Sequence, residues 1–263
     1  MKNFGSFNIT ALTLGFAFLY LPILLLVIFS FNESKLVTVW GGFSTKWYAS
    51  LLEDKNFLNA AWTTLRIAIV SASVATVLGT MAAIALVRLG KFRGRTLFSG
   101  MIYAPLVMPE VITGLSLLLL FVALNVTRGF WTITLAHITF SMCYVSVVIS
   151  SRLHSFDTSL EEAAIDLGCN TLQAFFKVTL PIIFPAVISA WLLSVTLSLD
   201  DLVIASFASG PGATTLPMEI YSSVRLGVSP QVNALSSILV VLVGSGVIFA
   251  SIISRRKIAK KHD

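Results

Sequence analysis

Charged residues are scarce in this chain of 263 residues, which has 18 lysines and arginines and 12 acidic residues. They make up 11% of the sequence, against 56% for hydrophobic residues, whereas a soluble domain carries about 25% charged residues. The mean hydropathy is +0.90. Too few polar side chains are present to cover a domain in water, so the composition excludes an ordinary soluble protein. At this length we expect one domain, 1–263.

Cysteine and the common catalytic motifs are also nearly absent. Cys143 lies in an apolar run and Cys169 in a polar segment, so both are expected to be free thiols. No GxxxxGK[ST], GxSxG or HExxH motif occurs, and no Cys/His run has metal-ligand spacing. We therefore expect no enzyme, and no metal or cofactor bound by this chain. The basic residues flank apolar runs, which argues against a nucleic-acid partner.

Long apolar runs are the main feature of the sequence. A helix needs about 20 apolar residues to cross a bilayer. Six runs meet or approach this length, at 10–31, 67–87, 97–124, 132–151, 182–199 and 232–254. The first is too long for a signal-peptide core, and we expect it to be retained. The prediction is an all-α membrane protein with six spans, the third interrupted by Pro105, Pro109 and Glu110.

Lysine and arginine are unevenly divided between the two sets of loops. They concentrate at 88–95 and 255–261, and Lys2 precedes the first run. The positive-inside rule then places both termini and residues 152–181 in the cytoplasm. The expected partner of the two basic clusters is anionic membrane lipid.

The cytoplasmic segment 152–181 has the signals of a short helix. Thr158 with Glu161, and Ser159 with Glu162, have the spacing of a capping box. Apolar and small side chains follow at helical spacing. Gly168 can end the helix in the left-handed conformation, which other residues adopt at a cost.

A second helix is predicted after this turn. Asn170 with Gln173 can start it, and Phe175 and Phe176 lie together on its apolar side. Pro181 suits the first turn of the next span.

The first of these helices carries acidic rather than basic charge, from Glu161, Glu162 and Asp166. A helix that lies on lipid usually has a Lys/Arg-rich polar face. This favours a protein partner over the membrane surface.

The segment "EEAAIDLGCNTLQAFFKVTLP" (161–181) resembles the EAA loop of ABC importer permeases, with Val178 where the family usually has Ile. The resemblance implies a type I ABC importer permease, with a loop that docks in a groove of a separate ATPase. The implied partners are a homologous permease, two ATPases that bind ATP and Mg²⁺, and a periplasmic binding protein. The residues expected at the ATPase contact are Glu161, Glu162, Ala163, Ala164, Asp166, Gly168, Phe175, Phe176 and Pro181.

Basic residues are missing from the later spans, yet Glu110, Asp200, Asp201 and Glu219 lie in or beside them. An ionisable group at the centre of a span costs about 2.5–3.5 kcal/mol on insertion scales, so a function is the default hypothesis. A row of uncompensated acids suits a cationic substrate, and Tyr221 can add a cation–π contact. The alternatives are helix ends in water for the first three, pairing with Arg225 for Glu219, and an interfacial aromatic for Tyr221.

The stretches "APLVMPEVITGLSLLLLF" and "SLDDLVIASFASGPGATTLPMEIYSSVRLGVSPQVNALSS" resemble the polyamine branch of these permeases, most closely those of putrescine importers. This implies polyamine import across a bacterial inner membrane, with the choice of putrescine over spermidine resting on the resemblance alone. An ion-gradient transporter is the competing class. It would show paired interrupted helices, and only the third run is interrupted.

Overall fold

The computed structural model describes residues 6–36, 39–227 and 230–259, and its regular structure is helical. The described ranges contain no β-strand and one isolated bridge, between Asn32 and Phe43. A π-helical turn spans Phe175–Thr179. The helices are α1 (Ser6–Phe29), α2 (Lys46–Glu53), α3 (Lys55–Arg88), α4 (Arg95–Val107), α5 (Glu110–Ala123), α6 (Phe130–His154), α7 (Ser159–Asp166), α8 (Thr171–Ala174), α9 (Leu180–Asp200), α10 (Val203–Ala208), α11 (Leu216–Leu226) and α12 (Pro230–Ala259).

Four helices of the described chain are long and apolar enough to cross a membrane: Phe7–Phe29, Lys55–Arg88, Phe130–His154 and Thr171–Asp200. They confirm the first, second, fourth and fifth predicted spans. If the bent pair α4–α5 counts as one span, the described residues contain five spans at most, one fewer than the six predicted. α12 covers the sixth run in extent, and Pro230–Leu242 within it is a shorter apolar helix.

The orientation of these helices stays a prediction. Lys2, Lys260 and Lys261, which contribute to the charge asymmetry, lie outside the described residues.

The second span begins earlier than predicted. α3 starts at Lys55, and Arg66 lies within it instead of marking its end. The Arg66 guanidinium carbon is 5.0 Å from the centroid of the Phe130 ring. This cation–π contact gives the charge of Arg66 a partner, and α3 begins before residue 67, the predicted start of the span.

The third span is broken where the prolines predicted a break, but it is not a straight crossing. α4 and α5 are bent by 117° at Met108 and Pro109. Met108 is extended (φ −76°, ψ 138°), as a residue before proline prefers to be. With 13 and 14 residues, each helix is about 20 Å long at 1.5 Å per residue. Neither alone crosses a hydrocarbon core of about 30 Å.

Residues Asn59–Glu219 form one compact unit, organised around α6. α6 packs against α4, α9 and α10, and α5 packs against α10. One buried cluster includes Ile67, Phe121, Ile133, Phe140 and Ile204. A second includes Val145, Ile149, Leu153, Phe156 and Ile183.

The described residues of Met1–Leu58 and Ile220–Asp263 form a second unit, in which α1 and α2 pack against α12. The hydroxyl of Tyr48 in α2 links the other two helices. It lies 2.6 Å from Oγ of Ser30, which follows α1, and 3.1 Å from Oγ of Ser237 in α12. Trp47 Nε1 donates to the Asn32 carbonyl at 2.7 Å. Polar side chains therefore satisfy one another inside this unit.

We predict that Gly79→Ala will destabilise the protein, because α3 touches α6 at this glycine. A Cβ atom at Gly79 would lie 2.6 Å from Val145 Cβ and 2.7 Å from the Met142 carbonyl oxygen. Moving the two helices apart should cost about 1–3 kcal/mol. The measurement is the thermal midpoint of the protein purified in detergent. Gly15→Ala is the control, because nothing lies within 4 Å of its added methyl group. An unchanged midpoint for Gly79→Ala would contradict the close approach.

Candidate functional site

The turn after α7 is the one that Gly168 predicts. Gly168 has φ +94°, and its N–H donates to the Ile165 carbonyl at 2.9 Å. The Cys169 N–H donates to the Ala164 carbonyl at 3.0 Å. These two bonds form a Schellman motif, which satisfies the last carbonyls of the helix. The glycine is therefore required by backbone geometry.

The start of α7 differs from the prediction. The Thr158 side chain makes no capping hydrogen bond, and Asp157 Oδ1 instead accepts from the Ser159 N–H at 3.0 Å. Hydrogen bonds from the Ser159 side chain and backbone hold the pKa of Asp157 below its usual value. The predicted capping boxes, Thr158 with Glu161 and Ser159 with Glu162, are wrong. The Glu161 carboxylate is bound elsewhere.

The second helix of the loop begins as predicted and then runs into the fifth span. Asn170 Oδ1 accepts from the Gln173 N–H at 2.8 Å, and Gln173 Oε1 accepts from the Asn170 N–H at 3.1 Å. Leu180 N–H bonds the Phe175 carbonyl in the π-helical turn, and Pro181 lies in the first turn of α9. Pro181 therefore does not separate the loop from the span, and Thr171–Asp200 is one helical segment of 30 residues.

Glu161 connects α7 to two other elements. Its Oε2 lies 2.6 Å from Nη1 of Arg88, the last residue of α3. Its Oε1 accepts a hydrogen bond from the hydroxyl of Thr179, at the end of the π-helical turn. The Arg88 guanidinium carbon is 5.0 Å from the centroid of the Phe156 ring. The Glu161 carboxylate therefore bonds residues of its own chain, whereas Glu162 is exposed on the surface of the loop.

The remaining surface of the loop is apolar and open. α7 contains no buried residue. The exposed fractions of Leu167, Leu172 and Phe176 are 87%, 70% and 60%. Phe175 is half-buried and packs edge-on against Phe176. Glu162, Ala163 and Asp166 are exposed, and Ala164 is half-buried. Large apolar side chains exposed on a short loop are typical of a protein interface.

Asp201 lies at the junction of α9 and α10 and is tied into it. Its Oδ2 accepts from the Ala205 N–H at 2.7 Å and lies 3.1 Å from His137 Nε2. His137 Nδ1 is 2.6 Å from Ser198 Oγ, which is 3.3 Å from Ser71 Oγ. The side chains of His137 and Asp201 are only 3% and 9% exposed. Asp201 thus caps α10 as a helix-end residue, but from a buried position and not in water, and His137 is a hydrogen-bonded contact between α6 and this junction.

Two further acids stand at exposed helix ends. Asp200 is the last residue of α9, and Glu110 is the first residue of α5. An acid in the first turn of a helix is stabilised by the helix dipole, which fits the solvated-turn alternative for Glu110. α5 and α10 pack together, and a Cβ at Gly114 would lie 2.6 Å from the Phe207 ring. This contact links the helix that Glu110 starts to the helix that follows Asp200.

Glu219 and Tyr221 lie on α11. Glu219 is half-buried in the first turn. The Leu216 N–H of that turn donates to Thr64 Oγ1 at 2.7 Å and fixes it to α3. Tyr221 is 48% exposed, and the Arg225 guanidinium carbon is 5.4 Å from its ring centroid. Arg225 therefore already makes a cation–π contact with one face of the Tyr221 ring.

Sequence reasoning missed the roles of Arg88, Thr179 and Ser198. The sequence predicts only an orienting charge for Arg88, since this residue ends an apolar run. Nothing local to Arg88 distinguishes it from Lys91 or Arg93. Only the partner acid, 73 residues away, identifies it.

Four helices of membrane length in the described chain define a class, the multi-pass membrane proteins. The comparison of sequences narrows this class. Residues 75–259 match the family described as "Binding-protein-dependent transport system inner membrane component". The chain belongs to this family and is a multi-pass inner-membrane transport component.

Individual relatives agree with this assignment. The putrescine transport system permease protein PotI of Escherichia coli K12 is 60% identical over 246 residues, covering 91% of this chain and 88% of that protein. The spermidine/putrescine transport system permease protein PotC of the same strain is 44% identical, covering 94% and 93%. A bacterial ABC transporter involved in alginate import has the same fold, with a TM-score of 0.71, 19% identity and 95% of each chain covered.

We predict that Gly168→Val will disorder the α7–α8 turn and that Gly168→Asn will largely preserve it. Nothing lies within 4 Å of a Cβ at Gly168, so the cost is the left-handed backbone, roughly 1–2 kcal/mol for most L-residues and less for Asn. The measurement is limited proteolysis of residues 157–170 in membranes. Gly90→Val is the matched control, with φ +63° and open space in another loop. Equal protection of the Val variant and the native chain would refute the requirement.

Proposed function

We propose that this chain is a permease subunit of a type I ABC importer that moves a polyamine, putrescine first, across the inner membrane. The observation that carries the proposal is the open α7–Gly168–α8 loop, whose apolar side chains nothing in the described chain covers. The 60% identity to a putrescine permease supports the choice of substrate.

The coupling step follows from the shape of the loop. Leu167, Leu172 and Phe176 offer apolar anchors to a groove on an ATPase, and Glu162 and Asp166 lie exposed beside them. ATP and Mg²⁺ bind in that partner, where hydrolysis takes place. Closure of the ATPase pair then moves α7 and, through the continuous segment 171–200, the fifth span.

The substrate step depends on acidic groups. Putrescine is a dication on an apolar four-carbon chain, which suits carboxylates placed among aromatic and aliphatic side chains. Asp200 and Glu110 are exposed and are the first candidates to meet its ammonium groups. Asp201 acts by holding the α9–α10 junction beside Asp200. Glu219 and Tyr221 complete the proposed path.

The complete importer contains a homologous permease, two ATPase subunits and a periplasmic polyamine-binding protein, with both termini of this chain in the cytoplasm. Spermidine is the second candidate substrate, supported by the 44% identity to a spermidine/putrescine permease. An ion-gradient transporter is disfavoured because one bent helix pair is found in the described residues, whereas paired broken helices are typical of that class.

The test of this proposal is uptake of labelled putrescine by cells with and without this gene, the partner subunits being retained. We expect gene-dependent uptake that spermidine competes and that uncharged or anionic solutes do not. Uptake that persists after loss of the ATPase subunits would refute ATP-driven import. Competition by anionic solutes would refute a cationic substrate.

We predict different defects for the two adjacent aspartates. Asp200→Asn should raise the KM for putrescine uptake about tenfold, since it removes one charge–charge contact, at normal protein level. Asp201→Asn should lower the amount of folded protein, because it weakens the cap of α10 and the bond to His137. The measurements are uptake kinetics and quantification of protein in membranes. Glu53→Gln, an exposed acid in α2, is the control. The same phenotype for both aspartates would contradict the division of roles.

A further inference from the structure

α7 is attached to its own chain without a buried apolar side chain. Its neighbours among the helices are α8 and the π-helical turn. Most surface helices are held by an apolar face that packs on the core, and this one exposes its apolar residues instead. Something other than hydrophobic packing must fix its orientation.

The Arg88–Glu161 pair supplies that attachment. It is the one Lys/Arg–Asp/Glu ion pair within 4.0 Å among the residues the structure describes. Glu161 uses both carboxylate oxygens, one for Arg88 and one for the Thr179 hydroxyl. Three elements therefore meet at one carboxylate: the end of α3, α7 and the π-helical turn.

The surroundings hold the guanidinium in place. Arg88 and Glu161 side chains are 23% and 21% exposed, and Thr179 is 1% exposed. Phe156, on which the guanidinium stacks, is 8% exposed. Arg88 Nη2 is buried without a hydrogen-bond partner. Because an enclosed charge is screened less by solvent, removal of Glu161 would leave an arginine with little compensation.

A role in membrane orientation does not account for this geometry. Lys91 and Arg93 lie in the same loop, are exposed and can serve that purpose. Arg88 points its charge at α7. In the same part of α3, Ala83 belongs with Ile183 to the buried cluster of α3, α6 and α9, and Val87 packs against this cluster. The helix that carries Arg88 is therefore itself packed.

We propose that Arg88 is a positioning residue for energy coupling: it locks α7 to α3 and to the start of the fifth span through Glu161. The lock makes α7, the π-helical turn and the end of α3 move as one body when α7 is pushed. The inference rests on the proposed docking of α7 to an ATPase and adds the residue that carries the movement onward. Lysine cannot replace this arginine fully, because an ammonium lacks the planar group that bonds a carboxylate while stacking on a ring.

The test uses the complete importer reconstituted in liposomes with its binding protein and putrescine. The quantity measured is the number of putrescine molecules imported per ATP hydrolysed. We expect Arg88→Met to lower this ratio about fivefold or more, within the range of mutational effects on coupling, while the ATPase subunits still co-purify. Arg88→Lys should fall between Arg88→Met and the native protein.

Rescue separates positioning from a general loss of stability. The exchange Arg88→Glu with Glu161→Arg restores an ion pair, and the Thr179 hydroxyl can then accept a bond instead of donating one. We expect this double variant to recover part of the ratio lost in each single variant. Arg152→Met, which removes an exposed charge at the end of α6, is the matched control and should keep the native ratio.

Each outcome decides the inference. A native ratio in Arg88→Met, or no recovery in the exchanged pair, would overturn it. If Arg88→Met does not accumulate, Glu161→Gln takes its place, since it removes the charge and retains the shape; a native ratio in that variant would also overturn the inference. A native importer that moves putrescine without the ATPase would instead overturn the proposed function.

Discussion

A chain in lipid has no water to satisfy a broken backbone hydrogen bond, and the breaks at Asp201 and Pro109 obey this constraint; the turn at Gly168, in the loop predicted to be cytoplasmic, also satisfies its backbone groups within the chain. At the end of α9, the Asp201 carboxylate accepts the free N–H groups of α10. At Pro109 the missing N–H coincides with the start of a helix, where it would be unpaired in any case. After α7, Gly168 folds the chain back so that its N–H groups reach the last carbonyls.

These interruptions place polar groups at both ends of the fifth span. Near its start, Thr179 holds Glu161 and, through it, Arg88. Near its end, Ser198 and Asp201 bond the two nitrogens of His137 in α6. Between them the helix is mainly apolar. Directional bonds therefore hold both ends of the span. The loop proposed to contact an ATPase lies at one end, and the proposed substrate acids lie at the other.

Sequence predicted the features whose chemistry is local. The Gly168 turn, the Asn170–Gln173 cap and the break before Glu110 depend on residues a few positions apart, and the structure contains all three. The predicted capping box at Thr158 is absent, and the Glu161 carboxylate bonds a distant arginine and Thr179 instead. The Arg88–Glu161 and His137–Asp201 pairs are separated by 73 and 64 residues, and only the packing of α3, α6 and α9 selects them.

The unbroken segment from Thr171 to Asp200 has a mechanical consequence. Its 30 residues make a lever arm of about 45 Å at 1.5 Å per residue. A tilt of about 5° around one end then displaces the other by about 4 Å, close to the contact distance between two carbon atoms. In the proposed importer, a leverage of this size would let a small tilt of the span open or close a passage as wide as a methylene chain.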